Sequence, residues 1–195
     1  MPVNHDIIRQ GDDVMQITKT KFSDVAILTF MRRSDARGLT EIVFDHAQMI
    51  NLGVRFDLKE QRIYHAPKKG TFYGIHFQSK KYPQSKIIHL LSGRGIDYII
   101  DLRKESPTFT QWIAIELFAD DNQHIHIPQG YGHAFLSLQD NTSMLFSVNE
   151  PFQEGESKQI RFDDTQIHLD IPIKIEAMVD YDRAAPYVDE IELEV

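Results

Sequence analysis

Between Lys86 and Val148, apolar residues recur at every second position, the period of a strand whose two faces meet different surroundings. In Ile96-Asp97-Tyr98-Ile99-Ile100-Asp101-Leu102, residues 96, 98, 100 and 102 share one apolar face. Upstream, Lys86-Ile87-Ile88-His89-Leu90-Leu91 ends at the hairpin-like turn Ser92-Gly93-Arg94-Gly95. Trp112 to Leu117 alternates again, with Ile113, Ile115 and Leu117 on one side. Ala119-Asp120-Asp121-Asn122 breaks the pattern, Gln123 to Pro128 resumes it, and Ala134 to Leu138 follows. After the turn Gln139-Asp140-Asn141, the residues Met144, Phe146 and Val148 alternate once more. Short strands closely spaced between turns predict an antiparallel sandwich or barrel. Helical signals are weaker: a short helix within Glu41 to Leu52, and a second within Ala184 to Ile191, where Pro186 limits the start. No Gly/Ser linker or internal repeat divides the chain, so residues 1–195 read as one mainly β domain.

Charge narrows the partners. Lys and Arg number 21 against 29 Asp and Glu, a net charge of −8. That balance argues against general affinity for nucleic acid or an anionic membrane, although it leaves room for a local basic pocket. Cysteine is absent, which removes disulfides, thiolate metal sites and cysteine nucleophiles. The first thirty residues show no basic-then-apolar signal pattern, and apolar stretches run only a few residues, so a soluble cytoplasmic protein is expected. The acidic end Asp189-Glu190-Ile191-Glu192-Leu193-Glu194 is expected to be solvated.

Nine histidines raise the question of metal. His124 and His126 would share a strand face, and His133 follows after a turn, a trio able in principle to hold zinc or iron. A same-face pair is also an ordinary feature of a polar strand edge. Pro128-Gln129-Gly130-Tyr131-Gly132-His133 resembles the P-x-G-x-x-H motif of cupin jelly rolls. The first cupin motif needs His-x-His, and here its best match is His76-Phe77-Gln78, with glutamine in place of the second ligand. A cupin-type barrel working without metal or other cofactor is therefore expected.

Several stretches together resemble the dTDP-4-dehydrorhamnose 3,5-epimerase family of metal-free cupins. The family's D-x-R-G is Asp35-Ala36-Arg37-Gly38 here, and its R-G-L-H-[FY]-Q is Tyr73-Gly74-Ile75-His76-Phe77-Gln78. Lys86 follows in Ser85-Lys86-Ile87-Ile88, and Asp101-Leu102-Arg103-Lys104-Glu105-Ser106-Pro107-Thr108-Phe109 is similar to D-[IL]-R-x-x-S-P-T-F, with Trp112 after it. Ile127 to Phe135 is similar to I-P-x-G-[FY]-A-H-G-F, and Asp182-Arg183-Ala184-Ala185-Pro186 to K-D-A-x-A-P. The matches run in order from Asp35 to Pro186.

The resemblance implies a cupin-type double-stranded jelly-roll barrel with short peripheral helices, working as a homodimer on a nucleotide sugar of deoxysugar biosynthesis. Its reaction removes the protons at C3 and C5, beside a C4 ketone, and returns them on the opposite face. Such chemistry needs a base, an enolate stabiliser and an acid on the far side. By resemblance, His76 is the base, Asp182 the carboxylate that orients it, and Lys86 the enolate stabiliser. Arg37, Gln61, Tyr73, His133 and Phe146 would line the substrate pocket, with Arg37 the candidate for nucleotide or pyrophosphate contact. Plainer roles stand beside these: a satisfied core histidine at 76, a solvated edge lysine at 86, a helix cap at 182 and a turn at Arg37-Gly38. Asp163-Asp164 reads as turn chemistry.

Three positions depart from the family. Tyr73 stands where it has arginine, which removes a fixed charge from the pocket. The Gln-x-Asn-x-Ser stretch becomes Gln61-Arg62-Ile63-Tyr64-His65. The acid tyrosine aligns with Phe146, which cannot donate a proton. A water or a nearby phenol (Tyr64, Tyr73 or Tyr131) would then deliver it, or a single carbon would be inverted. Tyr73 would reach the face of His76, three residues on, only if Gly74 permits a bulge. The alternatives are a keto-isomerase that moves a proton along one face, a non-catalytic nucleotide-sugar-binding cupin and, third, a metal-dependent cupin.

Overall fold

A computed structural model describes residues 15–195. The first fourteen residues, part of the 1–195 domain reading and of the stretch searched for a signal pattern, lie outside the described residues. Along the described chain come β1 (Gln16–Lys19), β2 (Ala26–Thr29), β3 (Arg32–Asp35), β4 (Gly38–Glu41) and α1 (His46–Asn51). Then follow β5 (Glu60–Ala66), β6 (Phe72–Gln78), β7 (Lys86–Ser92), β8 (Arg94–Asp101) and β9 (Trp112–Phe118). After a 3-10 turn at Ala119–Asp121 come β10 (Gln123–Ile127), β11 (Tyr131–Ser137), β12 (Thr142–Val148), β13 (Ser157–Ile160) and α2 (Asp180–Arg183).

The strands form two antiparallel sheets, β1-β2-β10-β7-β12-β5 and β13-β6-β11-β8-β9, with β3 and β4 a separate hairpin. Alternation sorts each strand's residues between the space inside the two sheets and an outer layer. Ile88 and Leu90 of β7, Ile125 of β10, Ile99 of β8 and Phe135 of β11 meet between the sheets. The face 96, 98, 100 and 102 turns the other way, against Ile167, Val188 and Leu193 of the C-terminal segment. Met49 of α1, with Phe30 and Phe56, covers the outside of the first sheet. The result is the expected cupin-type jelly roll, with both faces of each sheet buried over much of their area.

Both helices are shorter than the sequence suggests. Glu41 closes β4, and α1 starts only after Asp45, whose side chain accepts the Gln48 N–H as an N-cap. The second helix lies upstream of its expected place, at Asp180–Arg183, and residues 184–191 are not helical. Pro186 removes a helix donor, and buried Val188 gives its N–H to Asp164 at 2.7 Å instead of to a helical turn. Asp163-Asp164 does form a turn, in which Asp164 also accepts the N–H groups of Gln166 and Ile167. Nor is the acidic end free in solvent. Ile191, Leu193 and Val195 pack on the core while Glu192 and Glu194 face outward, and the Glu194 carbonyl accepts the Lys80 N–H at 2.7 Å. That period-two pattern is the signature of an extended segment laid on a sheet. No described helix is long and apolar enough to cross a membrane.

His124 and His126 do share a face of β10, but it is the outer one. His124 stacks on His89 with ring centroids 4.0 Å apart, and His126 packs edge-on to Phe56. Burial pushes them down to about 3 and about 4, so both are neutral packing groups near pH 7. His133 projects from the other sheet, so the strand geometry does not bring the three together. Among the described residues, no three His, Asp or Glu side chains are arranged to hold a metal ion.

Candidate active site

A cavity of about 830 Å³ opens between the sheets, and the inner faces of β5, β6, β7, β11 and β12 line it together with α2. Its chemistry is set by an irregularity in β6. Facing β11, His76 pairs with His133 while Tyr73 pairs with Phe135, so three steps on one strand match two on the other. A regular strand would turn Tyr73 away from His76; this bulge at Gly74 puts both on the same inner face.

The bulge also holds a carboxylate. Asp182, only 2% exposed, accepts the Gly74 N–H on one oxygen at 3.0 Å and meets His76 Nε2 with the other at 2.7 Å. A cap role for Asp182 is thereby displaced by a tertiary one, across 106 residues of chain. A Cβ at position 74 would lie 2.8 Å from the Asp182 Cγ, so glycine is what lets the carboxylate seat. Gly74→Ala should therefore cost ~1–3 kcal/mol of stability as α2 is pushed off the sheet. Urea denaturation checks this, and a midpoint equal to that of the unaltered protein would contradict it.

Lys86, at the start of β7, is 3% exposed and is no solvated edge residue. Its Nζ donates to the His76 carbonyl at 3.1 Å, and burial lowers its pKa to about 8, with Asp97 pulling the other way. His133 meets Asp97 at 2.5 Å from Nε2, forming a second imidazole–carboxylate pair on the cavity wall. Phe146 packs against it with ring centroids 5.8 Å apart. Gln78, in the place of the missing second cupin histidine, holds loops: its amide donates to the Tyr82 carbonyl and accepts the Gln153 N–H.

Two expected pocket residues are elsewhere. Gln61 points out of the cavity and donates to Ser147 at 3.0 Å. On a strand a one-residue offset exchanges the faces, and the cavity residues of β5 are Arg62 and Tyr64. Arg62 thus puts a guanidinium on the cavity wall from the opposite sheet, where Tyr73 leaves β6 without one. Arg37 sits at the tip of the β3–β4 hairpin, 89% exposed, paired with Asp35 at 2.7 Å and outside the cavity lining. The Asp35-Ala36-Arg37-Gly38 stretch is the turn that its glycine, at φ +127°, suggests.

Sequence reasoning also passed over Asp97 and Tyr181. Asp97 carried a signal: a fully buried carboxylate in an apolar strand must find a partner. Tyr181 carried none, since only the seating of α2 brings its ring onto His76, centroids 6.3 Å apart. The stretch from Asp101 to Thr108 proves architectural. Burial opposes ionisation of Asp101, but hydrogen bonds from Arg103, Ser106 and Thr108 outweigh it and hold its pKa at about 2.

Taken together, the cavity offers an imidazole oriented by a buried carboxylate, an ammonium beside it and a wall of aromatic rings. This arrangement can take a proton from carbon and hold the charge that results. Comparison with known proteins agrees with that chemistry. The family model described as dTDP-4-dehydrorhamnose 3,5-epimerase matches residues 19–190. The enzyme of that name from Salmonella typhimurium is 29% identical over 91% of this chain and 97% of its own. The crystal structure of the Bacillus anthracis enzyme with TDP and PPi bound superposes with a TM-score of 0.86 at 29% identity, covering 89% of this chain and 99% of the other. A Legionella pneumophila 3,5-epimerase in complex with dTDP-4-keto-L-rhamnose gives 0.86 at 25% identity, covering 91% and 95%.

Proposed function

We propose, because this chain belongs to the dTDP-4-dehydrorhamnose 3,5-epimerase family, that it inverts carbons alpha to the 4-keto group of a nucleotide-linked deoxysugar. The observation that carries the reading is the His76–Asp182 pair with Lys86 against it in one cavity. Asp182 accepts at Nε2, which leaves the Nδ1 lone pair of His76 as the base. As the proton leaves carbon, negative charge moves to the ketone oxygen, where the buried Lys86 ammonium supports it. His133, turned by Asp97, and the rings of Tyr73 and Phe146 would bound the sugar.

The ligands named in the two solved relatives, TDP with pyrophosphate and a dTDP-4-keto sugar, support a nucleotide sugar as substrate. With a net charge of −8, phosphate contacts have to be local, and Arg62 is the guanidinium on the cavity wall. The chain works as one domain in the cytoplasm, paired with a second copy. The test is proton NMR of dTDP-4-keto-6-deoxyglucose incubated with the protein. New resonances of a sugar inverted at C3, C5 or both are expected, and an unchanged spectrum at catalytic protein concentration would overturn the reading.

A further inference from the structure

Epimerisation is a two-face reaction. The base lies on one wall of the cavity, and the proton that replaces the one removed must arrive from the other. His76 stands on β6, backed by Asp182 of α2, whereas β5 and β12 belong to the opposite sheet. On that opposite wall, at the position of the family's acid tyrosine, Phe146 offers a ring without a hydroxyl. Resting on the epimerase reading above, we propose that Tyr64 of β5 is the acid, the phenol having moved one strand sideways.

Tyr64 lines the cavity and meets Phe146 edge to face, ring centroids 5.4 Å apart. The register places Tyr64 opposite Met144 and Arg62 opposite Phe146, so Tyr64 is the diagonal neighbour of the lost hydroxyl on the same inner face. Arg62, held by Glu60, lines the same cavity wall two residues from Tyr64 on β5. The charge left on the phenol oxygen after donation therefore has a cation beside it.

Other tyrosines are committed or misplaced. The Tyr131 hydroxyl donates to Asp24 at 2.6 Å and accepts from Arg103, with its ring buried against Phe22 outside the cavity lining. Tyr73 donates to the His65 carbonyl at 3.3 Å and shares the strand of His76, on the base's own wall. Tyr181 stacks on His76 from α2, the helix that also carries Asp182, and is 58% exposed to solvent. Of the phenols on the cavity wall, Tyr64 is the one that faces the base from the opposite sheet.

His76 takes the proton from the α carbon, and the C–H electron pair becomes the enolate whose oxygen Lys86 supports. The enolate carbon then takes the Tyr64 O–H proton on its other face, re-forming the ketone. The phenolate recovers a proton from water, and the imidazolium releases one to water.

The two half-reactions separate in D₂O. NMR of dTDP-4-keto-6-deoxyglucose with the unaltered protein, Tyr64→Phe and the double variant Tyr64→Phe/Phe146→Tyr reads isotope entry and inversion independently. In Tyr64→Phe, deuterium is expected still to enter the α carbon, because base and enolate support are intact, while inversion falls ~10²–10⁴-fold. Restoring the phenol at 146 should return inversion, which a folding defect at 64 would not allow. Full inversion by Tyr64→Phe, or a loss that the double variant does not rescue, would overturn the proposal while leaving the epimerase reading standing. Absence of deuterium entry with the unaltered protein would instead overturn the epimerase reading, and this proposal with it.

Discussion

His76→Ala is expected to stop proton abstraction, lowering the rate of deuterium entry into a 4-keto sugar by ~10²–10⁴. The effect is large because the imidazole does two things that no neighbour duplicates. Its Nε2 is tied to a carboxylate that is itself buried, fixing the tautomer and ring angle, and the ring so held lines the cavity. Removing the ring also leaves the Asp182 oxygen at 2.7 Å without its partner, with only the Gly74 N–H on the other oxygen. That orphaning should cost ~1–3 kcal/mol, so His76→Asn, which keeps a polar group, serves as the companion variant. Both should lose exchange, and exchange at the unaltered protein's rate in either would refute the role.

Lys86→Met should lower the rate by ~10²–10³, the typical loss on removing one donor to a developing oxyanion. Methionine suits the buried site without an ammonium, so the loss should come with an intact fold. A pH profile adds an independent reading. Burial lowers the Lys86 pKa to about 8, so the side chain is charged below that pH and neutral above it. If the charged form supports the enolate, the rate must decline as pH rises through about 8. Lys86→Arg, charged throughout, should lose that alkaline limb whatever its absolute rate. A rate that stays flat from pH 7 to 9.5 in the unaltered protein would contradict this assignment.

Much of this architecture is legible in the period-two pattern, because a strand buried on both faces still alternates between two environments. The faces of β8 and β9 follow from it directly, whereas the charge of Asp189 to Glu194 masked the same period in Ile191, Leu193 and Val195, which pack inward on the core. The helices were harder to place. Residues 184–191 have the composition of a short helix, but Val188 and Leu193 are drawn down onto the sheet and Pro186 breaks the donor series. At the site, His76, Asp182 and Lys86 were carried by ordered motif matches spanning most of the chain, whereas Gln61 failed through a one-residue offset that turned it to the other face. Arg37 lies outside the cavity lining for a different reason: its motif marks a hairpin tip, where the turn and the Asp35 pair set the side chain. The bulge at Gly74 is a backbone feature on which the site depends, and it joins Tyr73, His76 and Asp182 in a way that strand alternation alone would forbid.

The most direct measurement of the central claim is NMR of a dTDP-4-keto-6-deoxyhexose held in D₂O with the unaltered protein, followed carbon by carbon. Deuterium at C3, C5 or both, and at no carbon that is not alpha to the ketone, is the predicted result. A substrate recovered with all its carbon-bound protons at catalytic protein concentration would contradict the account.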